Sequence, residues 1–158
     1  VKLFIQKIPE SGRVYEVDVN AAKLRQRLAD RTDIMRLSDL HAQVNAERIE
    51  QVVTLRGEVV FDLFYVCSRC ADEMEATIRL PLRMVLMPRS ERPGPAEEDE
   101  DSGYHNGRVI DLSGIILEQV ALQLPQVLLC DIDCKGLCPV CNANLNDGPC
   151  DCGAKEKG

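Results

Sequence analysis

The sequence predicts an α+β fold: an antiparallel, β-rich body with a long hairpin, two helices, and a C-terminal zinc-ribbon-like appendage. Three observations predict it. Residues 52–66 form a long apolar β run, and residues 74–86 alternate strictly, with Met74, Ala76, Ile78, Leu80, Leu82, Met84 and Leu86 on one parity and Glu75, Thr77, Arg79 and Arg83 on the other. Period two over such a length means a sheet with one buried face. Two apolar 3.6-period segments each follow an Asn or Asp suited to an N-cap. Eight cysteines fall at short spacings, Cys67-x2-Cys70, Cys130-x3-Cys134, Cys138-x2-Cys141 and Cys150-x-Cys152.

The elements follow in order. Residues 3–8 and 14–19 read as short strands around the turn composition Pro9-Glu10-Ser11-Gly12. Asn20 caps a helix running to about residue 30, with Ala21, Leu24 and Leu28 on one face. Its other face and the loop beyond are basic: Lys23, Arg25, Arg27, Arg31 and Arg36 against Asp30 and Asp33. That pattern is a solvated helix face, or a contact for RNA phosphates or a partner. A strand signal covers Leu40, Ala42 and Val44. The strand 52–66 follows, with Val59, Phe61, Leu63 and Tyr65 on one face and Gly57 marking a bulge or bend. It delivers Cys67, so Cys67 and Cys70 sit at the tip of a hairpin with the strand 74–86. Residues 89–107, rich in Pro, Gly and acid, read as a flexible surface loop. Asp111 caps a helix over 112–124 with Leu112, Ile115, Ile116, Val120 and Leu124 as its apolar stripe, and Pro125 ends it. The run Val127-Leu128-Leu129 leads to Cys130. The domain reading is a body over 1–129 and a cysteine-rich metal-binding tail over 130–158.

The cysteines carry the chemistry. Eight thiolates suffice for two four-sulfur sites, which zinc fills tetrahedrally. The same count fits four disulfides, so compartment decides. The opening segment has charges among its apolar residues and no leader-like apolar core, and no long apolar run exists, which predicts a cytoplasmic chain without a membrane span. Paired cysteines in a reducing compartment are usually metal-binding or catalytic. Cys138-Pro139-Val140-Cys141-Asn142 has the form of a zinc knuckle whose turn needs positive φ after the second cysteine, and Cys150 and Cys152 supply two further sulfurs. Cys67, Cys70, Cys130 and Cys134 would then form a second site across 60 residues. A competing partition groups Cys134 with Cys138, Cys141 and one of Cys150 or Cys152. Iron is the other metal such sulfurs take.

Composition limits the function classes. Net charge is −7, and six acids crowd residues 91–101. Three Tyr, three Phe and no Trp leave few stacking platforms for single-stranded nucleic acid. Four thiolates leave a zinc no open position for catalysis. Cys67 and Cys70 lie between strands, whereas a redox Cys-x2-Cys begins a helix. His41 and His105 have no triad or metal pattern around them. The segment 131–152 is acidic, with Lys135 against Asp131, Asp133, Asp147 and Asp151, which favours a protein contact over nucleic acid there. From the residues alone the reading is a zinc-binding, non-enzymatic protein, with a zinc-ribbon regulator or adaptor contacting a partner such as the transcription machinery as the alternative.

The stretch Cys134-Lys135-Gly136-Leu137-Cys138-Pro139-Val140-Cys141-Asn142-Ala143-Asn144-Leu145-Asn146, closing with Cys150-Asp151-Cys152, resembles the tail of the YceD family. Cys67-Ser68-Arg69-Cys70 at a strand end, and the acidic loop followed by Ile110-Asp111-Leu112 and a helix, are similar to that family as well. Asn142 departs from the usual Gly, and both residues allow positive φ. The resemblance implies a factor for large-subunit ribosomal RNA accumulation or ribosome assembly. Its partner would be ribosomal RNA or a pre-ribosomal particle, reached directly or through another protein.

Overall fold

The computed structural model describes residues 1–91 and 102–154. Its strands are β1 (Lys2–Phe4), β2 (Arg13–Val19), β3 (Ile34–Leu37), β4 (Leu40–Ile49), β5 (Val52–Val66), β6 (Glu73–Pro88), β7 (Ser102–His105) and β8 (Val109–Asp111). Its helices are α1 (Ala21–Arg27) and α2 (Leu112–Gln123). A six-stranded sheet has the order β2-β4-β5-β6-β7, with β3 joined to β5 beyond the end of β4. Every pairing in it is antiparallel except β6–β7. A separate two-stranded sheet pairs β1 with β8.

Alternation builds the core. Leu40, Ala42, Val44 and Ala46 of β4, Val53, Leu55, Val59, Phe61 and Leu63 of β5, and Leu82, Met84 and Leu86 of β6 are all buried on one face. They join Leu24 and Leu28 near α1, Leu112, Ile116, Leu117 and Val120 of α2, and Leu3 and Ile110 of the small sheet in one cluster. Both helices start on side-chain caps: Asn20 accepts from the Ala22 amide, and Asp111 from the Gly114 amide. Each cap is worth about 1 kcal/mol. Among the described residues no helix is long and apolar enough to cross a membrane.

The structure differs from the sequence-based expectations at five points. The first strand, expected over 3–8, stops at Phe4, gives way to a 3-10 turn over Ile5–Lys7, and pairs with β8. Helix α1 ends at Arg27, where the Leu28 amide closes the last turn on the Leu24 carbonyl. Residues 34–37, read as the end of a basic loop, form β3 against β5. The span 89–107 is not all loop: a 3-10 turn occupies Arg89–Glu91, and β7 runs parallel to the end of β6. Its acid-rich centre, 92–101, lies outside the described residues. Finally, Gly57 is not a bulge. Registry runs through it unbroken, facing Val44 on one side and Leu82 on the other.

Gly57 is instead required by close backbone approach. A Cβ there would sit 2.0 Å from the Gln43 carbonyl oxygen and 2.9 Å from the Val44 Cα. Those are main-chain atoms of a central strand and cannot swing aside. Gly57→Ala is therefore expected to destabilise the fold by more than about 4 kcal/mol, an exceptional size that overpacking against main-chain atoms can reach. Urea denaturation with an unchanged slope checks it; a loss below about 1 kcal/mol would mean that β4 and β5 can separate locally.

Candidate metal centres

The β5–β6 ladder pairs Val66 with Glu73 and leaves a tight connection over 67–72. Within it the Cys67 amide donates to the Asp72 carbonyl, and the Ala71 amide returns to the Cys67 carbonyl. The turn needs one left-handed residue, and Ala71 takes it at φ 60°. Cys67 and Cys70 are thereby aimed to the same side and buried. The segment after α2 is brought to them by hydrogen bonds. The Tyr65 hydroxyl donates to the Leu129 carbonyl at 2.9 Å, and the Ser68 amide to the Leu128 carbonyl at 2.8 Å. Arg69 Nη1 donates to the carbonyls of Ile132 and Cys134 at 3.2 and 3.1 Å.

The second knuckle repeats the first in miniature. The Asn142 amide returns to the Cys138 carbonyl, and Asn142 takes φ 58° just after the second cysteine, as Ala71 does. Leu137 and Asn144 form an antiparallel bridge that closes the loop. The Cys150–Cys152 segment then folds against the knuckle.

The sulfurs gather in two groups of four, Cys67, Cys70, Cys130 and Cys134, and Cys138, Cys141, Cys150 and Cys152, each with all sulfurs within 4.8 Å of one another. This is the two-site grouping, not the one that placed Cys134 with the tail. In the first group the Cys67–Cys134 and Cys70–Cys130 sulfurs are 3.8 and 3.6 Å apart. A tetrahedral ion with metal–sulfur bonds of about 2.3 Å spaces its sulfurs about 3.8 Å apart, whereas a disulfide requires about 2.05 Å. None of the eight is in a disulfide.

The surroundings poise the thiols. Burial pushes Cys67 up, but donation from the backbone amides of Cys70, Arg69 and Cys130 outweighs it and brings the pKa down to about 6. At Cys70 the Asp72 amide lowers the pKa, but burial and hydrogen bonds with Cys67, Asp72 and Cys130 push it up on balance. Cys134 is lowered chiefly by the Asn146 side chain, whose Nδ2 donates to its sulfur at 3.3 Å. In the other group the amides of Cys141 and Val140 bring Cys138 to about 6, while Cys152 is raised to about 12, first by its hydrogen bond with Cys141. Each cluster thus shares its protons unevenly, with Cys67 and Cys134 in the first and Cys138 in the second held toward the thiolate that a metal needs.

Asn146 and Asn144 were not singled out in the sequence, and they join the two groups. Both lie in the loop between Cys141 and Cys150, yet both serve the first group. Asn146 contacts the Cys134 sulfur while its Oδ1 accepts from the Lys135 amide. Asn144 donates to Asp72 Oδ2, which also accepts from the Cys70 thiol. Carboxamide groups at this distance from a ligand orient it and tune its basicity.

The basic residues divide. Arg31 forms a two-pronged ion pair with Asp33 at 2.8 Å, and Arg25 Nη1 donates to the Arg31 carbonyl. The pairing raises the Arg31 pKa and lowers that of Asp33, each chiefly through that hydrogen bond. Arg36 stacks over the Phe64 ring at 3.9 Å. Lys23 and Arg27 are exposed, and Arg27 lines a groove with Arg89 and α2 rather than facing Arg36. His105 is buried and satisfied by the backbone, at the Gln51 carbonyl and the Gly107 amide; His41 pairs with Asp18 on the open sheet.

Comparison with known proteins bears directly on this arrangement. The family described as "Large ribosomal RNA subunit accumulation protein YceD" matches residues 55–157, which span both cysteine groups. The chain belongs to the YceD family. Uncharacterized proteins of Mycobacterium tuberculosis and Mycobacterium bovis are 31% identical over 111 residues, covering 70% of this chain and 53% of theirs. The chain therefore spans about half the length of these relatives. Large ribosomal RNA subunit accumulation protein YCED homolog 1, chloroplastic, of Arabidopsis thaliana is 48% identical over 48 residues, 30% of this chain and 15% of that protein. No solved structure matches the chain.

The two left-handed turns generate a prediction. A side chain at φ near +60° costs about 1–2 kcal/mol unless the residue is Gly or a tolerant Asn. Ala71→Gly should therefore hold or raise stability, because relief of strain offsets the added freedom of the unfolded chain. Ala71→Val should lower it by about 1–2 kcal/mol, since a branched residue tolerates this region worst. Asn142→Gly should change it by less than about 0.5 kcal/mol. Thermal melts of the three variants decide; a neutral Ala71→Val would refute the turn geometry.

Proposed function

We propose that this chain is a non-enzymatic factor for accumulation of large-subunit ribosomal RNA, held together by two structural zinc ions. The observation that carries the reading is the double four-sulfur geometry in a chain of the YceD family. Cys67, Cys70, Cys130 and Cys134 would hold one ion, and Cys138, Cys141, Cys150 and Cys152 the other. With all four positions filled by thiolates, each zinc would act on folding rather than catalysis. The first would tie the β5–β6 hairpin tip to the segment after α2. The second would close the loop that carries Asn144 and Asn146. The partner would be ribosomal RNA or a pre-ribosomal particle in the cytoplasm, with Lys23, Arg25, Arg27, Arg31 and Arg36 among the contacts; Lys23 and Arg27 keep their charge most available.

Metal content tests the first half. Freshly purified, reduced protein should carry about two zinc ions per chain, and Cys67→Ser about one or none, with loss of the cooperative melt. Cys152→Ser should retain the first ion. Asn146→Ala should retain both but hold one of them about 10–100-fold more weakly in competition with a chelator, the usual cost of losing a group that supports a ligand. Metal near zero, with four disulfides by mass, would overturn the sulfur sites.

Cellular rRNA tests the second half. Depleting the protein from its own host should lower large-subunit rRNA relative to small-subunit rRNA. The wild-type gene should restore the ratio, and a Cys67→Ser gene should not. An unchanged ratio on depletion would overturn the functional reading while leaving the zinc sites intact.

A further inference from the structure

The sheet buries one face and leaves the other open, and registry maps that open face in rows. Asp18, His41, Val60 and Arg79 form one row; Glu16, Gln43, Glu58 and Pro81 the next; Val14, Asn45, Arg56 and Arg83 the third; Glu47, Thr54 and Val85 the fourth. In the first two rows every charged side chain has a partner. His41 meets Asp18 at 2.6 Å, Gln43 meets Glu16 at 3.4 Å, and Arg79 meets Glu58 at 2.9 Å.

The third row does not balance. Arg56 and Arg83 are direct antiparallel partners. Opposed residues on one face have Cβ atoms only about 4.5–5.5 Å apart, and like charges so placed destabilise a sheet. Both guanidinium groups are permanently charged and both side chains are exposed. Neither makes a hydrogen bond or ion pair among the described residues. The acids that could answer them are otherwise placed: Glu58 is engaged by Arg79, and Glu47 stands one row away opposite Thr54. Between the two arginines runs a groove of about 550 Å³, floored by Gly57 and bordered by Thr54, Pro81 and Val85.

We propose that Arg56 and Arg83 form a phosphate-binding site for RNA on the open sheet face. This rests on the rRNA reading above and names the surface that would serve it. Two arginines side by side offer paired N–H donors in the planar geometry that phosphate oxygens accept. A bound phosphodiester supplies the counter-charge that no described residue provides. The groove offers no aromatic anchor; of its apolar lining, Leu55, Leu82 and Met84 are buried in the core, which leaves Pro81 and Val85 as the apolar side chains on its open side, without the aromatic centre that a protein partner would use. The site takes one or two phosphates of a strand, not a duplex laid across the sheet, because Glu16, Asp18 and Glu58 occupy the neighbouring rows.

The test uses the full chain loaded with zinc and transcribed large-subunit rRNA, with filter binding from low to physiological salt. Arg56→Gln/Arg83→Gln should weaken binding at least tenfold at low salt. It should also flatten the dependence of log K on log salt by about 0.7 for each phosphate of single-stranded RNA that the variant no longer neutralises. The same variant should melt no lower than wild type, since a repulsion has been removed, so weaker binding cannot be laid to misfolding. Unchanged affinity and slope in the variant, with wild type binding RNA, would overturn the site and leave the rRNA reading standing. No RNA binding by wild type would overturn it too, and the rRNA ratio on depletion would then judge the broader function separately. Poly-glutamate held by wild type and released by the variant, with RNA binding unaffected, would replace RNA by an acidic protein as the occupant.

Discussion

The register of the β5–β6 hairpin is the constraint on which the rest depends. It runs without a break from Val53–Leu86 to Val66–Glu73. A slip of one residue would turn every side chain of one strand to the opposite face. The core residues Val59, Phe61 and Leu63 would then face solvent, and Cys67 would leave the turn that aims it at Cys134. The same registry sets Gly57 against the Gln43 carbonyl and Arg56 against Arg83. Core, cysteine cluster and charged row are thus three readouts of one alignment. Part of β6 has an open edge, since β7 covers only Val85–Pro88 among the described residues. Pro81 lies on that uncovered stretch, where a missing N–H costs nothing and discourages pairing with another chain.

The two cysteine groups are neighbours in chemistry as well as in sequence. Gly136, at φ 74°, brings the chain so close to Arg69 that a Cβ would sit 3.0 Å from the Arg69 carbonyl oxygen. The Leu137 amide donates to that same carbonyl. From this contact the second knuckle hangs on the first. In return, its loop supplies Asn146 to the Cys134 sulfur and Asn144 to Asp72. Closing the Cys138–Cys152 group therefore uses a surface the first group already provides, and opening it would remove the Asn146 donor that lowers Cys134. The coupling runs through hydrogen bonds worth roughly 1–3 kcal/mol when one partner is charged.

Features with a local cause were legible in the sequence. The alternation at 74–86 reflects one buried face, and β5 and β6 fall where it puts them. Asn20 and Asp111 cap because the helix start itself creates the orphan amides. Asn142 takes positive φ because the knuckle turn demands it. Features whose cause lies elsewhere in the chain were not legible. β1 is three residues long and gains its identity only from β8, more than a hundred residues away. β3 and β7 are short edge pieces beside β5 and β6. Ala71 carries no composition signal for its left-handed turn. Arg56 and Arg83 lie 27 positions apart and look like two ordinary solvated charges until the register opposes them. The basic helix, conversely, looked like one patch in sequence, and folding divides it by pairing Arg31 with Asp33 and stacking Arg36 on Phe64.

How an acidic chain can hold an anion follows from distance. Net charge is −7, and each zinc tetrathiolate would add about −2. Those cysteines are far from the arginine pair. From position 56 to position 67 an extended strand covers roughly 35 Å at about 3.3 Å per residue. At physiological ionic strength screening acts over about 8 Å, so exposed charges several screening lengths away contribute little. At the proposed site a phosphate would meet the local row, two arginines that no carboxylate of the described residues answers, with Glu47 a row away. The net charge of −7 would slow non-specific encounter with a polyanion and favour release, and the row alone would set the proposed contact. Under the proposed rRNA role, such a small site would allow a brief visit to RNA where a broad basic surface would hold on.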